Sequence, residues 1–153
     1  MKKKLIILIS IFLPVLIFDQ YLKYLVNKRI SLFRKITVIK HYFNIVHVDN
    51  TGVAFGLLNN YSSLLIIIFT ALIIAIITYI LFKLKIDSAL FIISSSLIIS
   101  GAFSNLLNRI FQGYVVDFLD FHIYGYHWPS FNLADSSVVV GTILFFISIV
   151  KYI

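Results

Sequence analysis

The sequence predicts an integral membrane protein of the all-α class, with four transmembrane helices and a short β-strand or two in its first long loop. Three observations carry that prediction. Hydrophobic residues form 61% of the chain and charged ones 12%, against roughly 45–50% and about 25% in a soluble domain, so most side chains face lipid or one another. The apolar residues gather into four long segments, each near the ~20 residues that a helix needs to cross a bilayer. The 153 residues leave space for two substantial loops and for no separate soluble domain, so 1–153 is read as one membrane domain.

The first span is predicted at about 5–26. Lys2, Lys3 and Lys4 followed by the apolar run Leu5 to Phe18 look like the start of a secretory signal peptide, but no small-x-small cleavage site follows, and the segment is read as a retained helix. In the loop after it, Ile36 and Val38, then Phe43 and Ile45, show the partial alternation of strand positions. The second and third spans are predicted at about 64–82 and 89–111. The run Val138 to Ile153 is short for a span, so the fourth is placed at about 136–153, starting near Asp135. Between the third and fourth lies a loop, about Gln112 to Ala134, rich in Asp, His, Tyr and Gly. An even number of spans places both termini on one side; the first long loop carries five positive residues on the other, so positive-inside counting decides little, but the lysines packed at the N-terminus favour the cytoplasm for the termini.

The net charge of +7 comes from Lys2 to Lys4 and a scatter at Lys28, Arg29, Arg34, Lys35 and Lys40, with no basic patch interleaved with aromatics. No nucleic acid partner is expected, whereas anionic lipid headgroups are. The chain has no cysteine, which excludes thiol nucleophiles, disulfides and Cys-ligated metals, and leaves no cysteine of its own to lipidate.

Polar residues at the ends of apolar spans cost about 2.5 to 3.5 kcal/mol each near the bilayer centre, so each needs a reason to be there. Asp19 and Lys23 stand one helical turn apart in the favoured acid-before-base order, as in an interfacial ion pair with a snorkelling lysine. Asn50-Thr51-Gly52-Val53-Ala54-Phe55-Gly56 reads as a re-entrant turn or as backbone brought close to a ligand. Gly101, Asn105, Asn108 and Arg109 fall largely on one face of the third helix. Gly101 and Ser94 to Ser96 suit close helix packing, while a guanidinium this near lipid requires an anion. The anions available are Asp117, Asp120 and Asp135. Asp135 could cap the fourth helix; two carboxylates brought together could instead share a proton, one ionised and acting as base on water. A metal hydrolase built on Asp117, Asp120, His122, His127 and Asp135, a serine hydrolase using Ser130, Ser136 or Ser137, and an ion or proton pathway are the rival readings. No metal-ligand spacing, no Gly-x-Ser-x-Gly and no internal repeat supports them. Asn60-Tyr61-Ser62 matches a glycosylation sequon and is given no meaning.

These motifs together resemble the lipoprotein signal peptidases, the type II signal peptidases. The resemblance rests on Asp19-Gln20-x-x-Lys23, Asn50-x-Gly52-x-Ala54-Phe55-Gly56, Asn105-x-x-Asn108-Arg109, Val115-Val116-Asp117-Phe118 and Phe131-Asn132-x-Ala134-Asp135-Ser136, in the family's order and spacing over nearly the whole chain. It implies an intramembrane aspartic endopeptidase of the bacterial cytoplasmic (inner) membrane. Four helices, cytoplasmic termini, a small extracytoplasmic β-rich cradle in the first long loop and a site near that face go with it, as do no metal and no cofactor. By the same resemblance the catalytic pair falls on Asp117 and Asp135. Asn50, Gly52, Asn105, Arg109 and Asn132 line the site or hold substrate, and Asp19 and Lys23 support it. The implied partners are prolipoproteins carrying a diacylglyceryl cysteine and membrane lipids, and the chain is expected to act as a monomer. In the third motif the family has Gly-Asn-x-x-Asp-Arg and this chain has Ser104-Asn105-Leu106-Leu107-Asn108-Arg109. Arg109 thereby loses one possible partner and is expected to lean on Asp117 or on substrate.

Overall fold

The computed structural model describes residues 1–52 and 63–150. Ala54, Phe55 and Gly56 of the glycine motif, the Asn60-Tyr61-Ser62 sequon and Lys151 lie outside the described residues. In chain order the elements are α1 (Lys2–Arg29), β1 (Lys35–Ile39), β2 (Phe43–Asn50), α2 (Ser63–Lys83), α3 (Ala89–Gln112), β3 (Val115–Ile123), β4 (Tyr126–His127) and α4 (Leu133–Val150). All four helices are long and apolar enough to span a membrane. The fourth begins at Leu133, earlier than the hydrophobic run alone indicates, because its first turn is polar and is held by capping rather than by lipid.

α3 is the central helix and packs against the other three. A buried cluster of Leu81, Phe91, Ile92 and Ile99, with Phe12 and Phe145 against it, joins all four helices at one end. Close approach of α3 and α4 depends on glycine. A Cβ on Gly101 would strike the Ala134 carbonyl oxygen, and one on Gly141 would lie 2.9 Å from Leu97 Cβ and 3.0 Å from the Ile98 nitrogen. The serines of α3 spend their hydroxyls on their own helix: Ser95 Oγ donates to the Phe91 carbonyl at 2.8 Å and Ser96 Oγ to that of Ile92 at 2.7 Å. The close-packing reading of Gly101 and of these serines is what the structure has.

The N-terminal lysines are not a uniform headgroup-facing cluster. Lys3 pairs with Asp87 at the surface, but Lys4 turns inward, its ammonium donating to the carbonyls of Leu81 and Leu84 at 2.7 Å each. A cation there satisfies carbonyls that the last turn of α2 cannot, at the negative end of its dipole.

The opposite end carries a four-stranded antiparallel sheet of order β1-β2-β3-β4. Only half of it comes from the first long loop. β3 and β4 come from the segment between α3 and α4, where a composition rich in Asp, His, Tyr and Gly predicts a loop. The first half of β3 shows no alternation because it is covered on both sides: Val115, Val116, Asp117 and Phe118 are all buried. Val116 and Phe118 pack on Val26 and Ile30 at the end of α1. α3 ends at Gly113, whose φ of 81° is the left-handed cap that closes the helix on the Arg109 carbonyl and turns the chain into β3. Tyr124 and Gly125, both at positive φ, make the β3–β4 turn.

Overpacking of this kind costs about 1–3 kcal/mol. Gly141→Ala is therefore expected to lower the Tm of the purified protein in detergent by several degrees, with Val139→Ala, on the exposed side of the same helix, as the neutral comparison. An unchanged Tm for Gly141→Ala would contradict the α3–α4 packing described here.

Candidate active site

Where the sheet meets the bundle, β3 and the start of α4 present Asp117 and Asp135. Asn132, the residue before α4, touches both. Its Nδ2 donates to Asp117 Oδ1 at 2.7 Å, and its backbone N–H donates to Asp135 Oδ2 at 3.1 Å, while the Asp135 N–H donates to Asn132 Oδ1 at 2.9 Å. The last two bonds form a reciprocal capping box in which Asn132 is the cap and Asp135 stands three residues on. The single-residue cap considered for Asp135 is thus taken by Asn132, and the Asp135 side chain remains part of the site.

Each carboxylate has a second amide. Asn50, at the end of β2, donates to Asp117 Oδ2 at 2.8 Å and accepts the Gly52 N–H at 2.9 Å. Asn105, on α3, donates to Asp135 Oδ1 at 2.8 Å. The strand register explains the first of these contacts, since Val48 stands opposite Asp117 and Asn50 opposite Val115, on the same sheet face. Burial, followed by the nearby charge of Asp135, pushes the Asp117 carboxyl up to about 6 against the opposing hydrogen bonds from Asn50 and Asn132.

Behind the two carboxylates lies a buried ion pair. Lys23 and Asp19 are 2% and 0% exposed, so the lysine does not snorkel to the surface. Its ammonium donates to Asp19 Oδ2 at 2.7 Å, Asn105 Oδ1 at 2.7 Å and Asn108 Oδ1 at 2.9 Å. Asp19 also accepts from Ser104 Oγ at 2.7 Å and from the Ala134 N–H at 2.9 Å, an otherwise free donor in the first turn of α4. A carboxylate at that helix end is further favoured by the dipole. Gln20, Ser104 and Asn108 belong to this network without having been assigned a site role from sequence; their spacing on α1 and α3 was visible, but the facing of those two helices was not.

Of the two partners expected for Arg109, Asp117 is not the one its guanidinium holds. Its Nη2 donates to the Gly52 carbonyl at 2.8 Å; among the described residues its buried Nε has no hydrogen-bond partner and no carboxylate lies within ion-pair distance. It secures the backbone after β2 rather than an acid.

Asp120, His122 and His127 are elsewhere. An odd separation along β3 puts Asp120 on the opposite sheet face from Asp117, where it accepts from Asn44 at 2.7 Å and from His127 at 2.7 Å. Burial alone would raise Asp120, but those two hydrogen bonds outweigh it and hold the carboxyl below its ordinary range. The five residues of the metal-hydrolase reading therefore do not converge. Ser136 and Ser137 donate to helix carbonyls of Asn132 and Leu133, which removes them as activated nucleophiles.

With this geometry in hand, comparison with known proteins places the chain. Residues 11–151 match the family described as Signal peptidase (SPase) II. A lipoprotein signal peptidase of Francisella tularensis subsp. novicida is 44% identical over 130 residues, covering 82% of this chain and 80% of that protein. One of Thermodesulfovibrio yellowstonii is 41% identical over 137 residues, covering 90% and 89%. A solved structure described as a bacterial membrane enzyme, determined by the in meso method at 2.3 Å, superposes with a TM-score of 0.87 at 35% identity over 94% of this chain and 87% of that one. The chain belongs to the signal peptidase II family and is a multi-span membrane peptidase.

Proposed function

We propose that the protein removes signal peptides from diacylglyceryl-modified prolipoproteins by cleaving before the lipidated cysteine, with Asp117 and Asp135 as an aspartic dyad. The observation that carries this reading is the pair of carboxylates linked through Asn132 at one end of an apolar bundle. The relatives named lipoprotein signal peptidase supply the substrate class. In this reading the chain lies in a bacterial cytoplasmic membrane as a monomer, with both termini in the cytoplasm and the dyad near the extracytoplasmic face. The signal helix and the acyl chains of the substrate remain in lipid while the scissile bond reaches the dyad.

One carboxylate, ionised, takes a proton from the attacking water, and the other, protonated, donates to the carbonyl oxygen as it becomes an oxyanion. The proton belongs to the coupled pair rather than to either residue. Asn50, Asn105 and Asn132 hold the carboxylates by donating to them, so the acids are aimed before substrate arrives. Arg109 and Gly52 hold the strand end beside the site, and Asp19 and Lys23 support it from α1.

Asp117→Asn and Asp135→Asn are each expected to lower kcat by roughly 10²–10⁴-fold in cleavage of a diacylglyceryl-modified prolipoprotein by purified protein in detergent, with chelator leaving the wild type unaffected. Near-normal cleavage by either variant, with its Tm intact, would sink the dyad.

The pH dependence has a defined sign. The charge of Asp135 contributes to the raised value at Asp117, so about 6 marks loss of the pair's second proton, and kcat/KM is expected to fall as pH rises through that region. The same shift bears on stability. A carboxyl raised from 3.8 to about 6 in the folded protein favours folding below the lower value and loses that contribution as pH rises through the higher one. The Tm of the wild type should decline across this interval, and Asp117→Asn should lack that step.

A further inference from the structure

The dyad leaves Asn108 without a role, although its amide is buried and fully engaged. Asn108 Oδ1 accepts from Lys23 Nζ at 2.9 Å and from Gln20 Nε2 at 3.0 Å, and its Nδ2 donates back to Gln20 Oε1 at 3.2 Å. The reciprocal pair with Gln20 closes only when both side chains are amides, because a carboxylate at 108 has no proton to donate to Gln20 Oε1. Lys23 has three ammonium protons and three acceptors, Asp19, Asn105 and Asn108, so each acceptor fixes where the others stand. Because Lys23 holds the oxygen of Asn105, the nitrogen of that amide faces Asp135.

We infer that Asn108 is a positioning residue for the dyad: as a neutral acceptor for Lys23 it keeps the buried cluster in charge balance, holds Asn105 toward Asp135, and so sets the pH range in which the pair works. This rests on the dyad reading given under Proposed function. The charged groups around the pair can be named element by element. α1 contributes Asp19 and Lys23, α3 contributes Arg109, and β3 and α4 contribute the two carboxylates themselves. β2 contributes the neutral Asn50, while its Asp49 stands opposite Val116 on the other sheet face, beside His47. With one proton on the pair, Lys23 and Arg109 are matched by Asp19 and a single dyad carboxylate. A carboxylate at 108 would add one uncompensated negative charge on Lys23, weakening its hold on Asn105 and raising the proton affinity of both dyad acids. The two effects have the same sign.

The test is the pH profile of kcat/KM on the same diacylglyceryl-modified prolipoprotein, measured for wild type, Asn108→Asp, Gln20→Glu and Asn108→Leu, with Asp117→Asn and Asp135→Asn beside them. Asn108→Asp is expected to move both limbs of the profile upward by ~0.5 to 1 pH unit, and Gln20→Glu, which adds the same charge from α1, is expected to move them in the same direction. Asn108→Leu, of similar size and without polar atoms, is expected to lower kcat about tenfold or more through a misplaced Asn105, with KM little changed. Profiles of Asn108→Asp and Gln20→Glu that superpose on the wild type, while both dyad variants are inactive, would overturn the inference and leave the dyad standing. Should Asn108→Asp not purify folded, Gln20→Glu decides alone by the same criterion. Full activity in either dyad variant would remove the dyad reading and this inference with it.

Discussion

A lysine ammonium enclosed within an apolar bundle is the constraint on which the rest of this structure turns. Moving such an ion out of water carries a penalty of several kcal/mol, recovered only when every proton meets an acceptor. Lys23 meets three, all within 2.9 Å, and they come from α1 and α3. Asp19, its partner, reaches on to the first turn of α4 through the Ala134 N–H. One ion pair thus registers three helices against one another. The glycines at 101 and 141 bring α3 and α4 close enough for this to happen.

From that point order passes to the site through amides. Lys23 orients Asn105, Asn105 holds Asp135, and the backbone and side chain of Asn132 join Asp135 to Asp117. An amide suits such a chain because it accepts at one end and donates at the other, so fixing its oxygen also fixes its nitrogen. The carboxylates receive donors from β2, α3 and the residue before α4, and among the described residues no lysine or arginine is in direct contact with them. A direct cation would favour both acids ionised; at Asp117 burial and the neighbouring carboxylate instead outweigh the neutral donors and raise the carboxyl.

The strand β3 shows how one segment can hold two acids in unlike states. Asp117 and Asp120 are three residues apart on opposite faces. Asp117 faces the bundle and another carboxylate, and is raised; Asp120 faces Asn44 and His127, and is lowered. Their surroundings differ because β3 is the seam between the bundle and the sheet. Arg109 is placed at the same seam, where it ties α3 to the backbone following β2.

The sequence by itself determined the class of the protein and the positions of its spans, because lipid leaves a helix little alternative and demands long apolar runs for it. It also marked out Asp117, Asp135, Asn50, Asn105, Asn132, Asp19 and Lys23, since polar groups at the ends of such runs are costly and therefore conspicuous, and their order matched one family. Tertiary structure alone decided how they meet. At Val115–Phe118 the strand is buried throughout and loses its alternation; only Leu119–Ile123 keeps the apolar-polar pattern of a strand. The capping box of Asn132 and Asp135 is local, but the inward turn of Lys4, the choice of Gly52 by Arg109, and the inclusion of Gln20, Ser104 and Asn108 in the Lys23 network all depend on which elements pack against each other. That information lies in contacts between residues 57 to 88 positions apart, where spacing along the chain carries none of it.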